Sequence, residues 1–149
     1  MDLDALGEKP SMVTRIAIGK VLGLIAGLLG FVLIPMFVPD VTTMFKWAFL
    51  LWYTTFGAIV GVFGMFTYHP VLQLPMPWWF RSVIVGGWMN FVLMLFIYNS
   101  VQPMLDAIFG AGSAFATPYI LILEGALIGL VIGYFATRFG GEGTETAGK

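Results

Sequence analysis

Few residues in this chain can do chemistry, and one of them stands in an unusual place. Glu124 lies inside Tyr119–Phe135, Y-I-L-I-L-E-G-A-L-I-G-L-V-I-G-Y-F, a run with no other charge. Three uses are open to a carboxyl in such a run: a structural hydrogen bond, proton or cation handling, or an escape toward water. Asn90 is the other deep polar residue. It shares a helical face with Ser82 and Gly86, and an interhelical hydrogen bond is expected of it, worth about 0.6 kcal/mol on average.

The remaining chemistry is thin. His69 is the single histidine and cysteine is absent. Disulfides and thiolate chemistry are therefore excluded, and one histidine cannot complete a metal set. No Ser/His/acid set or paired carboxylate occurs at an interpretable spacing, so no catalytic residue, metal or cofactor is assigned.

Composition says what must position these residues. Hydrophobic residues make up 59% of the 149 and charged residues 10%, against about 25% charged in a soluble domain. Such a chain cannot cover a water-facing surface, and an all-α integral membrane protein is expected. The net charge of −1 offers no attraction to nucleic acid. The N-terminus, M-D-L-D-A-L-G-E-K-P, is acidic where a signal peptide is basic, so the first apolar run is expected to be a retained span.

Spans are expected at about 12–38, 46–68, 81–101 and 118–137, since about 20 helical residues cross a core of about 30 Å. Together they make one domain, 1–138, an up-down bundle of four transmembrane helices. The polar, glycine-rich stretch 139–149 reads as a flexible tail. Pro35 and Pro39 should bend or end the first helix. Pro103–Phe109 suggests a short interfacial helix, and Thr117-Pro118 an N-cap and first position for the fourth. Lys9, Arg15, Lys20, Arg81, Arg138 and Lys149 fall on one side and Lys46 on the other. This bias predicts both termini in the cytoplasm, in a plasma or inner membrane. Trp78, Trp79 and Arg81 follow three loop prolines and suit an interfacial anchor.

Small residues recur every four positions: Gly19, Gly23 and Gly27, with Gly30 beyond; Gly57 and Gly61, with Gly64 nearby; Ser82, Gly86 and Asn90; Gly125, Gly129 and Gly133. Each set makes one smooth helix face, as in a glycine zipper. Counting depth at about 1.5 Å per residue, the glycines gather in the inner half. Gly23/Gly27 are matched to Gly129/Gly133, with Gly61 and Gly86 as further packing points. The outer half is aromatic and more widely spaced, either filled by its rings or left as a water-accessible cavity.

Glu124 lies roughly 8–10 Å below the outer surface and about 140° from the Gly125/Gly129/Gly133 stripe. At that depth its candidate partners are Tyr53, Thr54 and Asn99, with Lys46 at the edge. Two functional classes lead. A non-catalytic module or subunit of a membrane assembly fits the small size and glycine contacts. A proton- or cation-linked transport or channel component would use Glu124 with Asn99 and Asn90, as an oligomer. A membrane enzyme is the weakest class. The expected partners are the lipid bilayer and either further copies or other membrane subunits, with no nucleic acid. What Glu124 faces discriminates the two leading classes.

Overall fold

The computed structural model describes residues 10–148. Lys9 and Lys149, two of the basic residues behind the orientation argument, lie outside the described residues. Four helices dominate: α1 (Met12–Phe37), α2 (Thr43–Val62, extended by a 3-10 turn at Phe63–Met65), α3 (Trp78–Phe109) and α4 (Ile120–Gly140). All four are long and apolar enough to cross a membrane. Among the described residues there is no strand, only an isolated bridge between Tyr68 and Pro75. The all-helical expectation is met.

Local chemistry sets the helix ends. Ser11 caps α1, its hydroxyl accepting from the Thr14 amide at 3.3 Å. Thr42 caps α2 in the same way through Phe45, at 3.2 Å. Each cap satisfies one of the amides that a helix start leaves free. Pro35 is absorbed, and α1 stops at Phe37 ahead of Pro39. At the ends of α3 and α4 the chain turns out through Gly110 (φ 86°) and Gly141 (φ 70°), a backbone region that glycine enters without a Cβ clash.

Two local expectations are corrected. Residues 103–109 are not a separate interfacial helix; α3 runs through Pro103 for 32 residues. The proline leaves the Asn99 carbonyl without its helical partner, but Asn99 is exposed. Val101 and Leu105 meanwhile pack against Met94 and Leu121, and Gln102 donates to Asp106 (3.1 Å) and to the Ala116 carbonyl (2.8 Å). Packing beyond the proline outweighs its cost. At α4 the Thr117 hydroxyl is not the cap. The Thr117 and Pro118 carbonyls accept from Ile120 and Leu121 in a turn, and the helix starts at Ile120.

Contacts are most extensive within the sequential pairs α1–α2 and α3–α4, and the pairs meet mainly through α1 and α4. Backbones nearly touch inside each pair. A Cβ on Gly57 would strike the Gly19 carbonyl, and one on Gly27 would lie 2.8 Å from Leu50 Cα. A Cβ on Gly129 would lie 2.5 Å from the Ser82 carbonyl and 3.1 Å from Gly86 Cα, and one on Gly133 would strike Ser82 Oγ. The expected partnership of Gly23/Gly27 with Gly129/Gly133 is therefore wrong. Gly23 and Gly27 face Tyr53 and Leu50 on α2, and Gly61 faces the Arg15 backbone. Depth matching could not choose among antiparallel partners. Short connections could, because consecutive elements usually pack together.

The interior holds Tyr53, Phe56, Val60 and Ile132. Large aliphatic side chains such as Val21, Leu24, Ile25, Leu28 and Val32 point outward from α1, while its buried residues are Arg15, Gly19, Gly23 and Gly27. Small residues inside and large apolar ones outside is an arrangement suited to lipid, where close backbone approach replaces the hydrophobic effect between helices.

The end of the bundle holding the N-terminus of α1 is locked by arginines. Arg15 is 1% exposed and Arg81 3%. Arg15 Nε donates to the Gly61 carbonyl (2.9 Å), and its Nη1 to Thr137 Oγ1 (3.2 Å) and the Gly141 carbonyl. Arg81 donates to the Phe66 (2.7 Å) and Met76 (3.1 Å) carbonyls and forms an ion pair with Glu142 at 2.9 Å. Arg81 is thus turned inward, not out to headgroups as expected of an anchor, because these acceptors surround it. Trp79 remains exposed, and Trp78 packs edge-on to Tyr134. The notion of a loose tail missed these contacts too: the Gly143 amide donates to the Gly64 carbonyl (2.9 Å), and Thr146 is buried.

Candidate functional site

Asn90, fully buried on α3, organises the polar interior at the other end. Its Oδ1 accepts from Trp52 Nε1 of α2 at 3.0 Å. Its Nδ2 donates to the Leu121 carbonyl of α4 at 2.9 Å and to Tyr53 Oη of α2 at 3.0 Å. The amide orientation follows from chemistry: an indole N–H can only donate and a carbonyl can only accept. Gly125 makes the room, because a Cβ there would lie 2.6 Å from Asn90 Cβ.

The same inventory directs the Tyr53 hydroxyl. Its oxygen accepts from Asn90, so its hydrogen is free to donate. The Glu124 carboxyl of α4 is a close neighbour of that hydroxyl. The bonds of Asn90 to Trp52, Tyr53 and the Leu121 carbonyl make a polar relay that crosses three helices.

Of the five residues singled out as an intramembrane polar site, Glu124, Tyr53 and Asn90 come together. Thr54 does not join them, since its hydroxyl donates to the Leu50 carbonyl one turn back, at 2.9 Å. Such back-bonding satisfies a helical threonine without help from another helix. Asn99 is exposed on α3, facing away. Lys46 sits over the Phe31 ring, 5.2 Å from its centre, so its charge is spent on a cation–π contact. Trp52 was missed as a polar partner. The available signal was its indole N–H, which needs an acceptor when buried.

Glu124 also borders a cavity of about 550 Å³. The cavity lies between the C-terminal half of α1 (Ala26, Leu29, Leu33), the start of α2 (Phe45, Phe49), the end of α3 (Val101, Leu105) and the start of α4. Glu124 is the one ionisable residue in its lining, and the rest is apolar. A second groove of about 470 Å³, between α1 and α4 near Val13 and Phe139, is lined without any charge. Among the described residues no three His, Cys, Asp or Glu side chains are grouped as metal ligands would be. His69 accepts from the Val71 and Leu72 amides at 3.2 and 3.1 Å, as a turn residue does. The Glu124 site therefore offers one carboxyl, beside a phenol, facing an apolar space.

The relay makes a stability prediction. Asn90→Ala removes the amide without adding bulk and leaves the Trp52 N–H without an acceptor. A loss of about 1–3 kcal/mol is expected, read as a lower thermal unfolding midpoint in detergent. An unchanged midpoint would show that the bond contributes nothing.

No family model, no curated protein and no solved structure matches this chain.

Proposed function

We propose that this is a polytopic membrane protein whose working site is the Glu124 cavity, and that it acts as a proton- or cation-linked transport or channel component. One observation carries the reading: Glu124 is the single ionisable side chain on a cavity that all four helices border. Its neighbour is the Tyr53 phenol, and among the described residues no arginine or lysine is ion-paired to it. A carboxyl used only for packing has no need of a cavity. Ionisable groups inside membrane proteins mark proton and ion pathways by default.

The competing reading, a non-catalytic subunit of an assembly, drew on the glycine faces. Those faces are occupied within one copy. What supports that reading now is the broad apolar outer face of α1, which lipid also covers. In the proposed arrangement the Arg15 end and both termini face the cytoplasm, the Glu124 cavity opens toward the outer half, and further copies complete a path.

The functional test is Glu124→Gln in reconstituted vesicles. The fold should survive, because an amide matches the carboxyl in size and keeps its polarity. Proton or monovalent-cation flux should fall to the protein-free background. Flux equal to that of the wild-type protein, or no flux from the wild-type protein, would defeat the reading.

Orientation has its own test. Because the chain has no cysteine, single-cysteine variants report cleanly. Met44→Cys, exposed at the start of α2, should react with an impermeant maleimide from outside the cell, and Glu145→Cys should react only after permeabilisation. Labelling of both from the same side would overturn the arrangement.

A further inference from the structure

The cavity has a ligand chemistry that can be read from its walls. We propose that it binds a hydrophobic organic monocation, of the quaternary ammonium or phosphonium type, with the charge near Glu124 and the apolar body among Leu33, Phe45, Phe49 and Leu105. The proposal deepens the reading of Glu124 as a cation-linked site and rests on it.

Size comes first. About 550 Å³ lies within the roughly 300–1,000 Å³ typical of small-molecule sites. Charge comes second. One carboxyl on an otherwise apolar wall complements a single positive charge. A metal ion is a poor match, since hard cations need about six oxygen ligands to replace their water, and the cavity lining offers one carboxyl. A cation wrapped in alkyl or aryl groups has far less hydration to surrender. It recovers that loss through apolar burial, at about 25 cal/mol per Å².

The aromatic walls add selectivity. Phe45 and Phe49 lie with ring centres 6.4 Å apart and both border the cavity, which gives it an aromatic wall of the kind that attracts cations. The cavity also sits where the two helix pairs meet. All four helices contribute to its lining.

The test uses radiolabelled tetraphenylphosphonium with the purified full-length protein in mild detergent. Saturable binding is expected, weakened at least about tenfold, or about 1.4 kcal/mol, by Glu124→Gln. Glu124→Asp should retain part of it, which guards against a folding defect in the glutamine variant. Leu33→Trp, which fills the apolar part and leaves the carboxyl in place, should also weaken binding at least about tenfold. Neither sodium nor the neutral triphenylphosphine oxide should compete. Equal binding by wild type and Glu124→Gln, or full competition by the neutral oxide, would identify a site for uncharged or lipid chains and overturn the proposal. Unchanged binding by Leu33→Trp would overturn the location. Absent binding alongside Glu124-dependent flux would overturn the ligand class and leave the proton or small-cation reading standing. Absence of both would remove the two together.

Discussion

Gly57→Leu should yield little or no folded protein. The α1–α2 crossing has no side chains that can yield: a Cβ on Gly57 meets the Gly19 carbonyl, and the Gly23 Cα lies 3.3 Å away. Overpacking that side chains absorb costs about 1–3 kcal/mol. Here backbone must move, and moving it parts the most extensive interface in the molecule. Even Gly57→Ala should lower the unfolding midpoint clearly. Gly87 supplies the contrast. It is buried on α3, yet the nearest atoms to its missing Cβ are 3.8 Å away. Gly87→Ala should be neutral or stabilising by up to about 1 kcal/mol, through helix propensity. Size-exclusion profiles and thermal unfolding in detergent read both. A monodisperse Gly57→Leu melting with the wild type would show that the crossing is not rigid.

Arg15→Ala should be nearly as damaging. The side chain threads between glycines: a Cβ on Gly64 would strike its guanidinium, and one on Gly140 would lie 2.5 Å from its Cγ. Removing it empties that channel and strands the Gly61 and Gly141 carbonyls and the Thr137 hydroxyl. Buried polar groups left without a partner cost about 1–3 kcal/mol each. With part of that recovered by water, a net loss of about 3–5 kcal/mol is expected. Arg15→Lys should restore little, because an ammonium cannot reproduce a planar fork that reaches several acceptors at once. The residues after Arg138 should also become sensitive to protease, since Gly141 is held by this arginine. A wild-type midpoint in Arg15→Ala would mean that the three acceptors find other donors.

The helices were legible because lipid imposes one rule on every span, and apolar length reveals it. Tyr53 was legible as a neighbour of Glu124 because depth along a helix is nearly a ruler. Partner choice was not legible in the same way. Glycines at equal depth on α1, α2, α3 and α4 fit any antiparallel neighbour, and only connection length separates the options. Arg81 was read as facing headgroups, and Arg15 only as part of the charge bias, because basic residues at span ends face headgroups by default. What draws them inward is backbone carbonyls and the space left by Gly64 and Gly140, neither of which shows in a charge pattern. The run beyond Pro103 was lost for a related reason. A proline is a strong local signal, while the packing of Val101 and Leu105 on Leu121 is nonlocal.

The pairing of α1 with α2 and of α3 with α4 also bears on how the molecule is built during synthesis. Each extensive interface joins helices adjacent in sequence, so the first hairpin can close its own α1–α2 interface before α3 leaves the ribosome. Contacts of this short range form early and fast. Arg15 is the exception. Its bond to Gly61 closes within the first hairpin, but Thr137 and Gly141 are translated more than 120 residues after it. The guanidinium therefore waits, partly unsatisfied, until the last helix arrives. Its capture of the α4 end ties the first hairpin to the last helix.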